Sequence, residues 1–277
     1  SSSAASDVYK RQVMGRGRSR RGAARRLILS TAVLAFVAGA FAGAATLKLI
    51  ERSAGLPWSA GVQEASAKIV AVRSDGPGIV CNLMARVSPG EGRVLADTSP
   101  LIGFDFQYAE RVAVEVAARE ARGVSLDDDG VGLKGADVLY VVSAPTEGSV
   151  EVQSIDGPSA GAATTVATIA AIENRTIRQD VVITGTIQED GSIGPVGGIF
   201  EKAKAADNAG ARLFLVPSGQ SVVTMYREVV REVGPFRWVT YEPIQVDLKQ
   251  YAENAGWNIQ IQEVSTIEDA VNLMLQQ

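Results

Sequence analysis

The 277-residue sequence contains no histidine and only one cysteine, Cys81. Without histidine, catalytic sites built from Ser-His-Asp or Cys-His groups are excluded in this chain. A single cysteine cannot form an intrachain disulfide. A nucleophilic serine would therefore need a lysine, a carboxylate or an N-terminal amine as its base. Lysine is a known partner of serine in such sites, provided that its pKa is lowered enough for the amine to be neutral.

The absence of a phosphate-binding motif and of a basic domain argues against two further classes of function. The sequence has no Gly-x-x-x-x-Gly-Lys-Ser/Thr motif, so we expect no ATPase module. The net charge is −4 and the isoelectric point is about 5.1, with the positive charge concentrated before residue 27. An acidic domain of this kind does not favour nucleic-acid binding. We expect neither a cofactor nor a metal.

The N-terminal quarter divides into four segments. Residues 1–13 show no periodicity and resemble a cloning scar, and residues 14–26 form a basic tail. Residues 27–47 are 21 consecutive uncharged residues, which as a helix would span about 30 Å, the thickness of a bilayer core. We predict an uncleaved transmembrane helix here, with a cleaved signal peptide as the alternative. Residues 48–65 are predicted to be a linker.

The charges beside the predicted transmembrane helix predict its orientation. Six arginines of the basic tail precede it, whereas only Lys48 and Arg52 follow it closely. Positive charge favours the cytoplasmic side, so the N-terminus is expected in the cytoplasm and the remaining domain, 66–277, outside it. The arginines are Arg16, Arg18, Arg20, Arg21, Arg25 and Arg26.

Residues 66–277 alternate between strand-like and helix-like patterns, which predicts an α+β fold. A hairpin is expected from two apolar runs separated by a turn containing glycine and proline. The predicted strands are 69–72, 79–84, 93–96, 136–143, 212–217 and 259–262. The predicted helices are 105–121, 160–171, 200–209, 222–232, 248–255 and 267–275. Residues 234–257 are predicted to be an insertion.

Residues 154–202 hold the candidate catalytic groups. Ser159 follows the turn Asp156-Gly157-Pro158 and precedes a run of small residues, so it lies where a loop becomes a helix. The unpaired N–H groups at such a helix start can bind an oxyanion. Lys202 falls in the first turn of another predicted helix, among apolar neighbours that would lower its pKa.

Each of these residues also has a structural interpretation. Ser159 could serve only as a helix cap, and Thr184 fits the ordinary preference of threonine for strands. A solvated position is common for a lysine such as Lys202. Asp156 is either a catalytic support or a turn-forming residue, and the sequence leaves both open.

The motifs in their order resemble the proteolytic domain of the Lon proteases. The chain has Asp-Gly-Pro-Ser-Ala-Gly at 156–161, a Thr-Gly pair after a strand at 184–185, Pro-Val-Gly-Gly at 195–198 and Glu-Lys at 201–202. The resemblance implies that Ser159 is the nucleophile and Lys202, 43 residues later, the general base. It also implies that Thr184 orients the lysine. Thr186 departs from the pattern, because Lon proteins usually carry glutamate there.

The resemblance implies further features of the site and the assembly. Backbone N–H groups in the loop Gly157, Pro158, Ser159 and Ala160 would hold the oxyanion, proline supplying geometry only. Lon domains assemble as rings, commonly hexamers, so a homo-oligomer is expected. Protein or peptide substrates and the lipid bilayer are the expected partners.

The sequence therefore predicts a membrane-anchored, ATP-independent serine endopeptidase with a Ser-Lys dyad. Its substrates would be unfolded, flexible or membrane-adjacent segments of proteins. Two alternatives are a catalytically silent, membrane-tethered peptide-binding module and an enzyme that binds a phosphate or nucleotide at the Gly-Pro-Ser loop.

Overall fold

The computed structural model of the chain describes residues 61–97, 99–145, 154–234 and 236–276. The predicted tail and transmembrane helix, and the linker up to residue 60, lie outside these described residues. Within the described ranges, no helix is long and apolar enough to cross a bilayer.

The described residues form five helices and thirteen strands. The strands are β1 Gln63–Val72, β2 Gly78–Pro89, β3 Val94–Ala96, β4 Leu101–Ile102, β5 Ala136–Ser143, β6 Ser154–Ile155, β7 Val181–Ile183, β8 Thr186–Ile187, β9 Ile193–Gly194, β10 Leu213–Pro217, β11 Val222–Val233, β12 Phe236–Asp247 and β13 Gln260–Val264. The helices are α1 Phe104–Glu120, α2 Gly161–Ile172, α3 Ile199–Asn208, α4 Leu248–Asn254 and α5 Ile267–Met274.

A four-stranded sheet with the order β1-β2-β5-β3 forms one layer of the domain. The predicted hairpin is confirmed, with strands longer than expected, since β1 and β2 pair antiparallel from Gln63↔Val87 to Val72↔Gly78. β5 pairs antiparallel with β2, and β3 pairs parallel with β5. Alternate side chains of β1 are buried, as expected for a sheet with one face on the core.

The main core lies between this sheet and helices α1 and α2. Every residue of α2 is buried. The run of alanines and threonines makes this burial feasible, because small side chains let a helix approach both a sheet and a second helix closely. The threonine hydroxyls are satisfied locally: those of Thr164 and Thr165 donate to the carbonyl oxygens of Ala160 and Gly161, one turn earlier.

A second core surrounds α3, which carries Lys202. It lies against the parallel sheet β13-β10-β7. The ring of Phe200 contacts those of Tyr251 and Trp257, with centroids 5.0 and 5.8 Å apart. The C-terminal part of the predicted insertion therefore packs on the start of the lysine helix. The helix predicted at 248–255 is confirmed as α4.

The helix predicted at 222–232 is wrong. These residues form β11, which pairs with β12 over twelve residues in a long antiparallel hairpin. The apolar residues of this stretch recur at spacings of three and four, which resembles a helix. The β-branched valines favour a strand once a partner is present, and the partner strand lies in the segment that matches the family poorly.

Candidate active site

Ser159 lies in a single 3₁₀ turn, Pro158–Ala160, that runs directly into α2. The turn is entered through Gly157, whose φ of 104° is a conformation that residues with a Cβ rarely adopt. Pro158 follows, with the φ that a first helical position requires. Ser159 itself remains partly exposed. The loop-to-helix position predicted for the serine is therefore present.

Thr184 holds the backbone of this turn in place. It directly follows β7 and is completely buried. Its hydroxyl donates to the carbonyl oxygen of Ser159 at 3.2 Å, and the N–H of Gly185 donates to the same oxygen at 3.0 Å. Two donors from the end of one strand thus fix the carbonyl of the predicted nucleophile.

Lys202 lies in the first turn of α3, where its N–H makes a helical hydrogen bond to the carbonyl oxygen of Gly198. The residue is only 3% exposed. Its Nζ donates to the hydroxyl oxygen of Thr184 at 3.3 Å. It forms no ion pair with any described carboxylate, and burial alone lowers the pKa of its amine to about 8.

These contacts determine which group donates in each hydrogen bond between Lys202, Thr184 and Ser159. The single hydroxyl proton of Thr184 is used on the carbonyl of Ser159, so its oxygen can only accept from Lys202. Lys202 then spends an N–H on the threonine, and the lone pair of its neutral amine stays available for another donor. The described residues show no direct hydrogen bond between Lys202 and the Ser159 hydroxyl, and Thr184 links Lys202 to the backbone carbonyl of Ser159 instead.

Asp156 has a structural place in the fold. Its Oδ1 accepts from the N–H groups of Asp105, Phe106 and Gly157 at 3.1, 3.3 and 2.7 Å. It therefore caps the start of α1 and closes its own turn, and of the two interpretations the geometry favours the turn-forming one. Gly103 makes the arrangement feasible, because a Cβ there would overlap the Asp156 carboxylate.

The oxyanion donors remain a prediction, but the hydrogen bonds narrow the choice. At the start of α2, the N–H of Gly161 donates to Pro158 and that of Ala162 to Gly185. The N–H groups of Ser159 and Ala160 lie in the 3₁₀ turn just before these two.

Thr186 stands where Lon proteins usually carry glutamate. Its hydroxyl oxygen accepts a hydrogen bond from the side-chain amide of Gln188 at 3.4 Å.

Gly185 is a site residue that the sequence reasoning did not single out. Its N–H holds the Ser159 carbonyl, and its own carbonyl accepts from the N–H of Ala162. The Thr-Gly pair after an apolar strand was the available signal, although only the threonine was assigned a role.

Comparisons with known proteins match the part of the chain that contains these residues. Residues 141–232 match the family described as the Lon protease (S16) C-terminal proteolytic domain. The chain is similar to the Lon protease of Phenylobacterium zucineum, with 31% identity over 161 residues, covering 54% of this chain and 19% of the relative. It is also similar to Lon protease 1 of Herpetosiphon aurantiacus, with 43% identity over 155 residues, covering 52% of this chain and 18% of the relative.

A third relative, Lon protease 1 of Sorangium cellulosum, is 33% identical over 141 residues, covering 51% of this chain and 16% of the relative. The chain thus spans less than a fifth of the length of these relatives. The matched range contains Ser159, Thr184 and Lys202. The predicted resemblance to the Lon proteolytic domain is confirmed over this range.

Proposed function

We propose that the chain is a membrane-anchored, ATP-independent serine endopeptidase that hydrolyses peptide bonds with Ser159 and Lys202. The observation that carries the proposal is the buried lysine. An amine that is 3% exposed, without a carboxylate partner among the described residues and with a pKa of about 8, is suited to accept a proton near neutral pH.

In the proposed reaction, the Ser159 oxygen attacks the peptide carbonyl carbon while its proton passes to the Lys202 amine. Backbone N–H groups around Ser159 stabilise the negative oxygen that results. The protonated lysine gives its proton to the leaving amine, and the peptide carbonyl remains on the serine as an ester. Water, deprotonated by the same lysine, then hydrolyses the ester and restores the serine.

Thr184 positions the base in this scheme. It fixes one N–H of Lys202 and, through the Ser159 carbonyl, fixes the backbone of the nucleophile. The base and the backbone of the nucleophile are thereby hydrogen-bonded to the same buried hydroxyl, which restricts their relative motion. The histidine of the usual triad is replaced by a buried amine.

The membrane anchor and the ATP independence are supported by the sequence. The uncharged segment 27–47 follows a basic tail, and the printed residues contain no Walker-type phosphate loop. Unfolded or flexible segments near the membrane are the proposed substrates, since such segments need no unfolding motor. Assembly into a ring, as proposed from the family, would enclose the site.

A fluorophosphonate probe tests the proposal most simply. The serine oxygen displaces fluoride from the probe, so the wild-type chain should be labelled covalently and Ser159→Ala should not. Casein should be cleaved by the wild type at the same rate with and without ATP and magnesium. Absence of labelling together with a thermal shift from nucleotides would favour the phosphate-binding alternative, and absence of both would favour a silent binding module.

A further inference from the structure

A small cavity of about 280 Å³ lies between the N-terminal half of α1 and the edge strand β3. Val94 and Ala96 of β3 line it on one side, and Phe104 and Tyr108 of α1 line it on the other. Ligand pockets for drug-sized molecules usually measure about 300–1,000 Å³. This cavity lies just below that range.

Glu110 lines the same cavity and is buried without a partner. It is 2% exposed, and its Oε1 has no hydrogen-bond partner among the described residues. Buried polar side chains are otherwise almost always paired, because an unpaired one loses its hydration without compensation. Burial raises the pKa of this carboxyl to about 8, so it is mostly protonated in the free protein at neutral pH.

Among the described residues, none of the other polar groups that line the cavity forms a hydrogen bond with Glu110. Gln107 uses its amide to donate to the carbonyl oxygen of Ile102 at 2.9 Å. Arg111 lines the cavity but is exposed to solvent. Burial is the main cause of the raised pKa of Tyr140, to which an ionised Glu110 would add, and the Tyr140 hydroxyl is paired with that of Thr168 at 2.6 Å.

The serine loop and the cavity both contact the N-terminal half of α1. The loop is attached to the first turn of α1, where Asp156 accepts from Asp105 and Phe106. Glu110 follows these residues by four or five positions, which in a helix is an axial distance of about 6–8 Å. The 3₁₀ turn that carries Ser159 also packs directly on α1. The turn that carries Ser159 and the cavity are therefore both built on α1.

We propose that this cavity is a specificity pocket for a basic side chain of the substrate, lysine or arginine, with Glu110 as the group that recognises its charge. The apolar walls fit the aliphatic stem of such a side chain, and the carboxylate fits its cationic end. The inference rests on the proposed peptidase function and adds a substrate preference to it. An uncharged substrate side chain of the same length would leave Glu110 unpaired, so it would bind less tightly in the pocket.

Proton release accompanies binding in this pocket. A cation beside Glu110 favours the ionised carboxylate, so its pKa falls and its proton passes to the buffer. Raising the pH through about 8 should therefore strengthen binding of basic peptides relative to neutral ones. Lys202 titrates in the same range, but its protonation affects basic and neutral peptides equally. Its effect therefore cancels in the ratio between the two kinds of peptide.

Selectivity is measured with pairs of quenched fluorescent peptides that differ in one residue, lysine or norleucine, placed at each position around the cleaved bond. At one position the wild type should have a higher kcat/KM for lysine. That ratio should fall at least about tenfold in Glu110→Gln and in Glu110→Leu. Glu120→Gln, an exposed position on the same helix, is the matched control and should keep the wild-type ratio. An unchanged ratio in a folded Glu110→Gln protein would overturn the inference while leaving the peptidase intact.

Calorimetry separates this inference from the proposed function. The lysine and norleucine peptides are titrated into Ser159→Ala protein at pH 7 in two buffers with different ionisation enthalpies. The lysine peptide should bind more tightly and release protons, and both effects should be lost when Glu110→Gln is added. This result with an inactive wild type would overturn only the peptidase. Equal binding of the two peptides without proton release would overturn the pocket.

Discussion

The amine of Lys202 lies 3.3 Å from the hydroxyl oxygen of Thr184, and that hydroxyl donates to the carbonyl oxygen of Ser159. One buried threonine therefore connects the proposed base to the backbone of the proposed nucleophile. Its role depends on the hydroxyl, since the remainder of the side chain could be provided by valine.

Thr184→Val should separate this role from simple packing. The substitution keeps the shape of the side chain but removes the hydrogen bonds to Lys202 and Ser159, so we expect kcat to fall by about 10- to 100-fold. Thr184→Ser retains the hydroxyl and should remain within a few-fold of wild type. Peptide cleavage by the two purified variants, with matched circular-dichroism spectra, makes the comparison. Equal activity of Val and Ser would show that the hydroxyl does not position the lysine.

Burial of Lys202 should reduce stability, and this reduction should depend on pH. Its pKa falls from 10.5 to about 8 in the folded protein, so between these values the unfolded chain binds the proton more strongly. The contribution of this group to the free energy of unfolding therefore rises with pH from about 8 to 10.5, and below pH 8 the full destabilisation remains. Lys202→Met should be inactive yet more stable than wild type by about 1–3 kcal/mol at pH 7.

Urea unfolding at several pH values measures this effect. The advantage of Lys202→Met should shrink steadily between pH 8 and 10.5, because wild-type Lys202 is neutral in the folded state there. A constant difference between the two proteins across this range would mean that the lysine is not the group responsible.

Asp156 should respond to substitution as a capping residue. Asp156→Asn retains an oxygen that can accept from the start of α1, so the protein should keep most of its cleavage activity and stability. Asp156→Ala removes the cap and should cost about 1 kcal/mol of stability, with a corresponding fall in melting temperature. Complete loss of activity in a stable Asp156→Asn protein would instead indicate a direct catalytic role for the carboxylate.

The predicted orientation in the membrane can be tested in spheroplasts. Six arginines precede segment 27–47, so a tag placed at Met14 should be protected from added protease while the domain is digested. Detergent lysis should abolish the protection of the tag. A protected domain with an accessible tag would reverse the predicted orientation, and release from the membrane of a domain that has lost the tag would favour a cleaved signal peptide.

The sequence predicted where the candidate site residues lie in the fold better than it predicted the β11–β12 hairpin, for a physical reason. Ser159, Thr184 and Lys202 are each marked by local signals: a Gly-Pro turn before small residues, a strand that ends in Thr-Gly and a lysine in a first helical turn. Pairing between β11 and β12 is not a local property. Its valines recur at spacings that also fit a helix, and only the partner strand decides between the two structures.

Asp156 and Glu110 show the same limit of prediction from sequence alone. The sequence could not choose between the roles of Asp156, because its partners Asp105 and Phe106 are about fifty residues earlier in the chain. Glu110 was not singled out, although a signal was present. It lies one turn after the buried Phe106 and one turn before the buried Ala113, on the apolar side of α1. An acidic residue in that stripe is expected to be buried.

The central claim is that Lys202 deprotonates Ser159, and the rate of fluorophosphonate labelling as a function of pH tests it most directly. Labelling reports only the attack of the serine, without the later steps of peptide hydrolysis. For the wild type, the rate should rise with pH through one ionisation near 8, where the Lys202 amine becomes neutral. Lys202→Arg keeps the charge but cannot lose its proton in this range. Its labelling should be as low as that of Ser159→Ala at every pH, with an unchanged circular-dichroism spectrum. Labelling of Lys202→Arg at near the wild-type rate, with the same pH dependence, would contradict the claim.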